Sequence, residues 1–246
     1  MKVISIINML RISWKQKSKL NIKPGFSLFA IALCLTFLIT SWVGFDIALY
    51  AQASGIFKQR GLKVELIRFE NQQDSSRAAM RGSSDAAFTS FWDVMQVDSG
   101  DSKPLVLMTT NISAGADGIV AQQRIKSVAN LQGKKVGAKL GTVNHLILLE
   151  ALKVNQIKPS NVQILDYSNE VSAQKIKEGE IDAAILWEPM LGDTAKSING
   201  NIIYTTKQVD SLVIDTLMSS DKIVKAKKAE LKQFMLAWFD VMHAVK

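Results

Sequence analysis

The stretch GSSDAAFTSFWDV (82–94) decides the fold, because the chain says nearly the same thing again at GEIDAAILWEPML (179–191). Both open Gly-x-x-Asp-Ala-Ala, at Gly82, Asp85, Ala86 and Ala87 and at Gly179, Asp182, Ala183 and Ala184. Both then run apolar to a tryptophan, Trp92 or Trp187. Glycine tolerates the left-handed conformation that ends a helix. The Asp and two alanines that follow start a strand packed too closely for larger side chains. The strand ends at a polar or aromatic pair, and strand ends are where open α/β sheets bind ligands. Two such units predict two α/β lobes, each lending one rim to a cleft. The competing reading is a common helix-to-strand turn that recurs by chance.

Outward from these units, short apolar runs alternate with helical patterns. Strands are expected at 63–68, 86–89, 105–110, 118–121, 136–138, 162–165 and 183–186. In 143–154 the residues Val143, Leu146, Ile147, Ala151 and Val154 share one helical face. Leu231, Phe234, Met235, Trp238 and Met242 do the same near the end. Strands alternating with helices argue for an α/β protein with largely parallel sheets.

The net charge of +8 invites a nucleic-acid reading until it is located. Lys2, Arg11, Lys15, Lys17, Lys19 and Lys23 precede residue 26 with no acid among them, and the remainder is close to neutral. The basic excess is a tail, not a binding stripe, so no nucleic-acid partner is expected. After it, FSLFAIALCLTFLITSWV (26–43) reads as an export signal or anchor with the N-terminus held inside. The chain beyond would lie in the periplasm or against the outer face of the cytoplasmic membrane. Cys34, the single cysteine, rules out an intrachain disulfide; it is a lipid-attachment candidate, although Leu33 precedes it where such signals want a small residue. Ala51-Gln52-Ala53 resembles a signal-peptidase site, but cutting there would destroy the first helix of the fold.

Catalytic and cofactor motifs are missing. There is no G-x-G-x-x-G after a strand, no G-x-x-x-x-G-K-[ST], no H-E-x-x-H, no C-x-x-C and no G-x-S-x-G. His145 and His243 are isolated. No enzyme, cofactor or metal site is expected. What remains is a set of strand-end loops rich in small polar residues. Ser41 and Trp42 lie in one, Thr89 and Ser90 in a second, Ser113 in a third, and Gly141, Thr142 and Val143 open the 143–154 helix. Helix N-termini receive anions without Lys or Arg, and hydroxyls add hydrogen bonds. Trp42 and Trp187 would wall such a site. Each residue also has a plain structural reading: Ser41 and Thr142 as N-caps, the tryptophans as core, and Glu188 as the cap of a helix begun by Pro189.

These stretches resemble the solute-binding proteins of nitrate, sulfonate and taurine ABC transporters, a family that includes thiamine-precursor binders. The matching segments are SWVGFDIALYAQASGIFKQRGLKVEL (41–66), GSSDAAFTSFWDV (82–94), SAGADGIVA (113–121), LQGKKVGAKLGTVNHLILLEAL (131–152) and GEIDAAILWEPML (179–191). The resemblance implies a two-lobe, type II periplasmic-binding fold, each lobe an α/β sandwich with a mostly parallel sheet. It implies an N-terminal tail and signal or anchor over 1–35, lobe 1 over 36–112, lobe 2 over 113–205 and a return to lobe 1 over 206–246. It places Ser41, Trp42, Thr89, Ser90, Ser113, Gly141, Thr142, Trp187 and Glu188 around the cleft. The implied function is capture of a small anion, an alkanesulfonate or taurine, or nitrate or bicarbonate, by cleft closure and delivery to permease subunits. A monomer is expected, with the N-terminal segment as its membrane contact. A thiamine-pyrimidine precursor as ligand, an enzyme on the same fold, and a non-transporting sensor or remnant are the alternatives. Two departures from the family pattern stand out: the apolar run meets the Ser-Trp-x-Gly turn directly, and set against the family the C-terminal helices are expected to be incomplete. The helix face bearing Phe234, Trp238 and Phe239 is therefore expected to lack cover.

Overall fold

The computed structural model describes residues 33–97 and 100–244. The basic tail and the first part of the apolar run lie outside the described residues. The strands are β1 (Leu33–Ile39), β2 (Leu62–Arg68), β3 (Ala86–Ser90), β4 (Pro104–Ile112), β5 (Asp117–Ala121), β6 (Lys135–Gly137), β7 (Gln163–Leu165), β8 (Ala183–Trp187), β9 (Asn201–Thr205) and β10 (Ile214–Ser220). The helices are α1 (Asp46–Ser54), α2 (Ile56–Gln59), α3 (Gln72–Met80), α4 (Phe91–Gln96), α5 (Val143–Val154), α6 (Asn169–Lys177), α7 (Met190–Ser197), α8 (Asp221–Ala226) and α9 (Lys228–Ala244).

Two five-stranded sheets form, in the orders β2-β1-β3-β10-β4 and β7-β6-β8-β5-β9. They share one plan. In each, three strands pair parallel, the next is reversed, and the last pairs antiparallel to the reversed one. The repeated phrase occupies the same place in both: β3 and β8 are the central strands. The first sheet takes its strands from 33–112 and 214–220, and the second from 117–205. We call the units around them lobe 1 and lobe 2.

The physical reason for the phrase is now visible. Gly82 and Gly179 follow α3 and α6 at φ of 81° and 75°, the left-handed region where glycine costs least. The Asp85 N–H donates to Thr36 O at 2.9 Å, while its Oδ2 accepts from Thr36 N at 2.8 Å. Asp182 repeats this on Lys135, at 2.8 and 3.0 Å. Each Asp thus brackets one residue of the neighbouring parallel strand and fixes the register. Each also meets a cation: Lys227 lies 2.7 Å from Asp85, and Arg124 pairs with Asp182. The two alanines then point to opposite faces. Ala86 and Ala87 enter separate hydrophobic clusters of lobe 1, and Ala183 and Ala184 separate clusters of lobe 2. All four alanines are fully buried, as expected of a central strand covered on both faces.

Two expectations need correction. The tail and apolar signal or anchor are expected to reach residue 35, with lobe 1 from 36, but the segment 33–39 is a single element. It is β1, paired with β2 from Leu33↔Leu62 to Ile39↔Arg68, because a strand buried on both faces is as uniformly apolar as an anchor. Cys34 is the second residue of this strand. The face of the last helix is not bare either. Phe234 and Trp238 are buried in lobe 1, where Phe234 lies 4.2 Å from Phe37 and 5.2 Å from Phe57 between ring centroids. Only Phe239 of the three is exposed, at 61%. The fully buried rings give lobe 1 an aromatic core that also includes Phe45 and Phe88. Ala51-Gln52-Ala53 lies inside α1, with Ala51 buried. No helix among the described residues is long and apolar enough to cross a membrane.

Candidate functional site

The C-terminal ends of the parallel strands set the site. At that edge of lobe 1 lie Trp42 after β1, Ser90 at the end of β3, and Asp215 at the start of the reversed strand β10, in register with Ser90 and Asn111. At that edge of lobe 2 lie Gly141 after β6, Trp187 at the end of β8, and Asp117, opposite Trp187, at the start of β5.

The two edges meet. Gly141 O accepts from Gln96 Nε2 at 2.8 Å, Trp92 Nε1 at 3.0 Å and Gln73 Nε2 at 3.5 Å, all from lobe 1. The tryptophans cross over reciprocally. Trp92 of lobe 1 packs against the main hydrophobic cluster of lobe 2, and Trp187 of lobe 2 packs against that of lobe 1. The chain passes between the lobes near Ser113 and Val213, where Ser113 N donates to Val213 O at 2.9 Å. Ser113 Oγ also bonds Asp117 and Thr206, which ties the start of β5 to the crossing.

The residues expected to line the cleft divide by what they touch. Ser41 is exposed. Trp42 is buried in the lobe 1 core, and its Nε1 donates to Asp215 Oδ2 at 2.7 Å. Thr89 accepts from Ser76 Oγ at 2.8 Å, and Ser90 caps α4 through the Asp93 N–H at 3.0 Å. Val143 is a core residue of lobe 2. The Thr142 hydroxyl donates to Lys139 O at 2.7 Å rather than capping α5, so that helix starts without a side-chain cap. Glu188 Oε2 accepts from the Gly192 N–H at 3.1 Å, inside the first turn of α7. His145 is half-buried; its Nδ1 accepts from the Gly141 N–H at 3.4 Å, and burial lowers its pKa. His243 is exposed.

Sequence reasoning missed the carboxylates. Asp93, Asp117 and Asp215 are 1%, 4% and 2% exposed. Burial raises all three: Asp93 to about 6, Asp117 to about 6 and Asp215 to about 8, the last helped by the charges of Asp117 and Asp93. Glycine at 44 belongs to the same arrangement. A Cβ there would lie 2.5 Å from Trp42 Nε1, which bonds the Asp215 carboxylate, and 2.4 Å from Asn111 Nδ2, whose residue is in register with Asp215. The signal was present in Ser-Trp-x-Gly, but Asp215 is too distant in sequence to be tied to it by spacing.

Residues 43–242 match a protein family described as NMT1/THI5 like. The chain belongs to the NMT1/THI5-like family. This NMT1/THI5-like chain is 30% identical over 190 residues to a Brucella abortus (strain 2308) protein named only as a binding protein, covering 70% of this chain and 58% of that one. It is 25% identical over 179 residues to the taurine-binding periplasmic protein of Escherichia coli (strain K12), covering 68% and 52%. The chain thus spans little more than half the length of these relatives. Among solved structures, its fold resembles the periplasmic aliphatic sulphonate binding protein SsuA of Escherichia coli. The TM-score there is 0.73 at 16% identity, covering 85% of this chain and 72% of that one. The nitrate-binding protein NrtA of Synechocystis PCC 6803 gives 0.75 at 13%, covering 87% and 62%. The desulfurization enzyme DSZB shares the fold at 0.64 and 13%, covering 85% and 75%. The two-lobe α/β fold is that of these periplasmic binding proteins.

Proposed function

We propose that this chain is the extracytoplasmic solute-binding component of an ABC importer. Its lobes close on a small polar solute, and the closed form docks on permease subunits. The observation that carries this reading is the reciprocal contact of the strand-end edges: Trp92 and Trp187 each reach the other lobe, and three lobe 1 side chains converge on Gly141 O. Hinge closure needs only that the solute bind the closed arrangement better than the open one. Relatives named for taurine, sulfonate and nitrate support a small anionic solute. So does α5, whose uncapped first turn presents unpaired N–H groups and a partial positive charge. The basic tail followed by an apolar run supports a place outside the cytoplasm, with the N-terminal segment as the membrane contact. The reading is of a monomeric binder rather than an enzyme, and it keeps Ser41, Gly141, Thr142 and Trp187 at the solute.

A thermal-shift screen of the full chain tests it, with taurine, alkanesulfonates, nitrate, bicarbonate and thiamine precursors. A solute at about 100 times its Kd adds about 2.7 kcal/mol of stability, a clear rise in Tm. A cooperative melt that no solute moves would contradict the reading.

A further inference from the structure

The polar contact between the lobes converges on one oxygen. Apart from the bonds at the chain crossing, the hydrogen bonds that join lobe 1 to lobe 2 among the described residues all end on Gly141 O. No ion pair joins the lobes among those residues. The turn before α5 is built to present that oxygen. Asp166 grips the turn on lobe 2, accepting from the Leu140 N–H at 3.0 Å and pairing with Lys139 at 3.1 Å. The Thr142 N–H donates back to Lys139 O at 3.4 Å, and the Thr142 hydroxyl donates to the same oxygen. In a trans peptide the C=O points opposite to the N–H, so that bond turns Gly141 O outward, toward lobe 1. On the facing side, Trp92 and Gln96 lie four residues apart on one face of α4. Gln96 Nε2 also donates to Trp92 O at 3.3 Å, which orients its amide. Gly141 has a φ of 76°, and a Cβ there would lie 3.3 Å from Gln73 Nε2, so both the turn and the close approach favour glycine.

We propose that the 139–142 turn is a latch: Gly141 O holds Gln73, Trp92 and Gln96 so that the lobes stay together between solutes, and a solute enters only after these bonds open. All four groups belong to the protein, so the latch closes without a solute's help. The contact sits at the rim, with Gln96 exposed and Gly141 and Trp92 half-buried. Water replaces each bond on opening, so each contributes modestly and the three together bias the lobes toward closure without locking them. Gln73, Trp92 and Gln96 are thus positioning residues that act on the solute through closure. The proposal deepens the solute-binding reading and rests on it for its purpose. The same turn opens α5, whose uncapped N–H groups that reading gives to the solute, so latch and solute share one turn. In a chain held shut, association is scaled down by the fraction that is open, and weakening the latch speeds it.

The test is hydrogen exchange of the tryptophan indole N–H groups, followed by NMR on the full chain with no solute added. Trp92→Phe identifies the Trp92 signal. That N–H should exchange about 10-fold or more slowly than the indole of free tryptophan, and Gln96→Ala should speed it about 5-fold, the effect of one lost bond of ordinary strength. Gln73→Ala, whose bond to Gly141 O is longer, should act in the same direction and less. Gln174→Ala is the matched control: it removes a glutamine amide bonded to Glu178 within lobe 2 and should leave the Trp92 signal unchanged. Small-angle scattering should show a larger radius of gyration when Gln73→Ala and Gln96→Ala are combined. A Trp92 indole that exchanges as fast as free tryptophan, or that Gln96→Ala does not move, would overturn the latch and leave the solute-binding reading standing. A slow, Gln96-sensitive indole in a chain whose melt no solute shifts would uphold the latch and overturn that reading.

Discussion

The two copies of the repeated phrase agree in their first half and differ in their second. Gly-x-x-Asp-Ala-Ala does the same work in both lobes, down to the pair of bonds each Asp makes to the residue beside it. After the alanines the copies part. Lobe 1 continues with Thr89, Ser90, Trp92 and Asp93, ending on a capped helix and a buried acid. Lobe 2 continues with Trp187, Glu188 and Pro189, ending on a tryptophan that crosses to lobe 1 and a glutamate that holds a helix start. Identity marks what any lobe of this kind needs to fold. Difference begins where the strand emerges at the cleft.

The largest expected effect breaks the shared half. Asp85→Ala removes a charged acceptor of a backbone N–H and a partner of Lys227, and should lower unfolding free energy by about 2–3 kcal/mol in urea titrations. Asp182→Ala is expected to cost about 1.5 kcal/mol, because its side chain is more exposed and its partner Arg124 is solvated. Next is Gly44→Ala, which pushes on Trp42 and Asn111 from below. It should cost about 1–3 kcal/mol and loosen the Asp215 carboxylate, read as a change in solute affinity beyond the stability loss.

A pH series sharpens the same contrast. Acids raised by burial bind protons more tightly folded than unfolded. Their contribution is therefore fully present below the unfolded pKa near 4 and lost as pH rises through about 6 for Asp93 and Asp117 and about 8 for Asp215. Without solute, Tm should fall between pH 5 and pH 8, and Asp215→Asn should flatten the upper part of that fall. A Tm that rises over this range would show that the three acids are compensated within the protein. The smallest effect is expected from Trp92→Phe, which keeps the ring and deletes one of three bonds to Gly141 O. It should cost about 1 kcal/mol or less, seen as a slightly larger radius of gyration without solute.

How much of this was legible depends on where the information sits along the chain. The 143–154 helix and the two central strands were read from local pattern, because periodicity and the Gly-to-Ala turn are written in adjacent residues. β1 was hidden by its own burial. β9 and β10 were not anticipated; β10 mixes Asp215, Thr216 and two serines into a buried strand, so neither alternation nor an apolar run marks it. At the site, hydroxyls were visible as residue types but not as bonded groups. Thr89, Ser90, Ser113 and Thr142 all find partners within the protein. The acids escaped notice because Asp93, Asp117 and Asp215 come from three separate segments, and only the folded sheets place them at the strand-end edges of the two lobes.

The most direct measurement is chemical denaturation of Asp182→Ala and Asp93→Asn, each with and without a saturating solute from the thermal-shift screen. One experiment then reads stability and binding together. Asp182→Ala should unfold earlier yet gain as much from solute as the unaltered protein does. Asp93→Asn removes an uncompensated buried charge, so it should be as stable as the unaltered protein or more so, and gain little from solute. The opposite pattern, with binding lost in Asp182→Ala and kept in Asp93→Asn, would mean that the shared half of the phrase carries the ligand chemistry and the account is wrong.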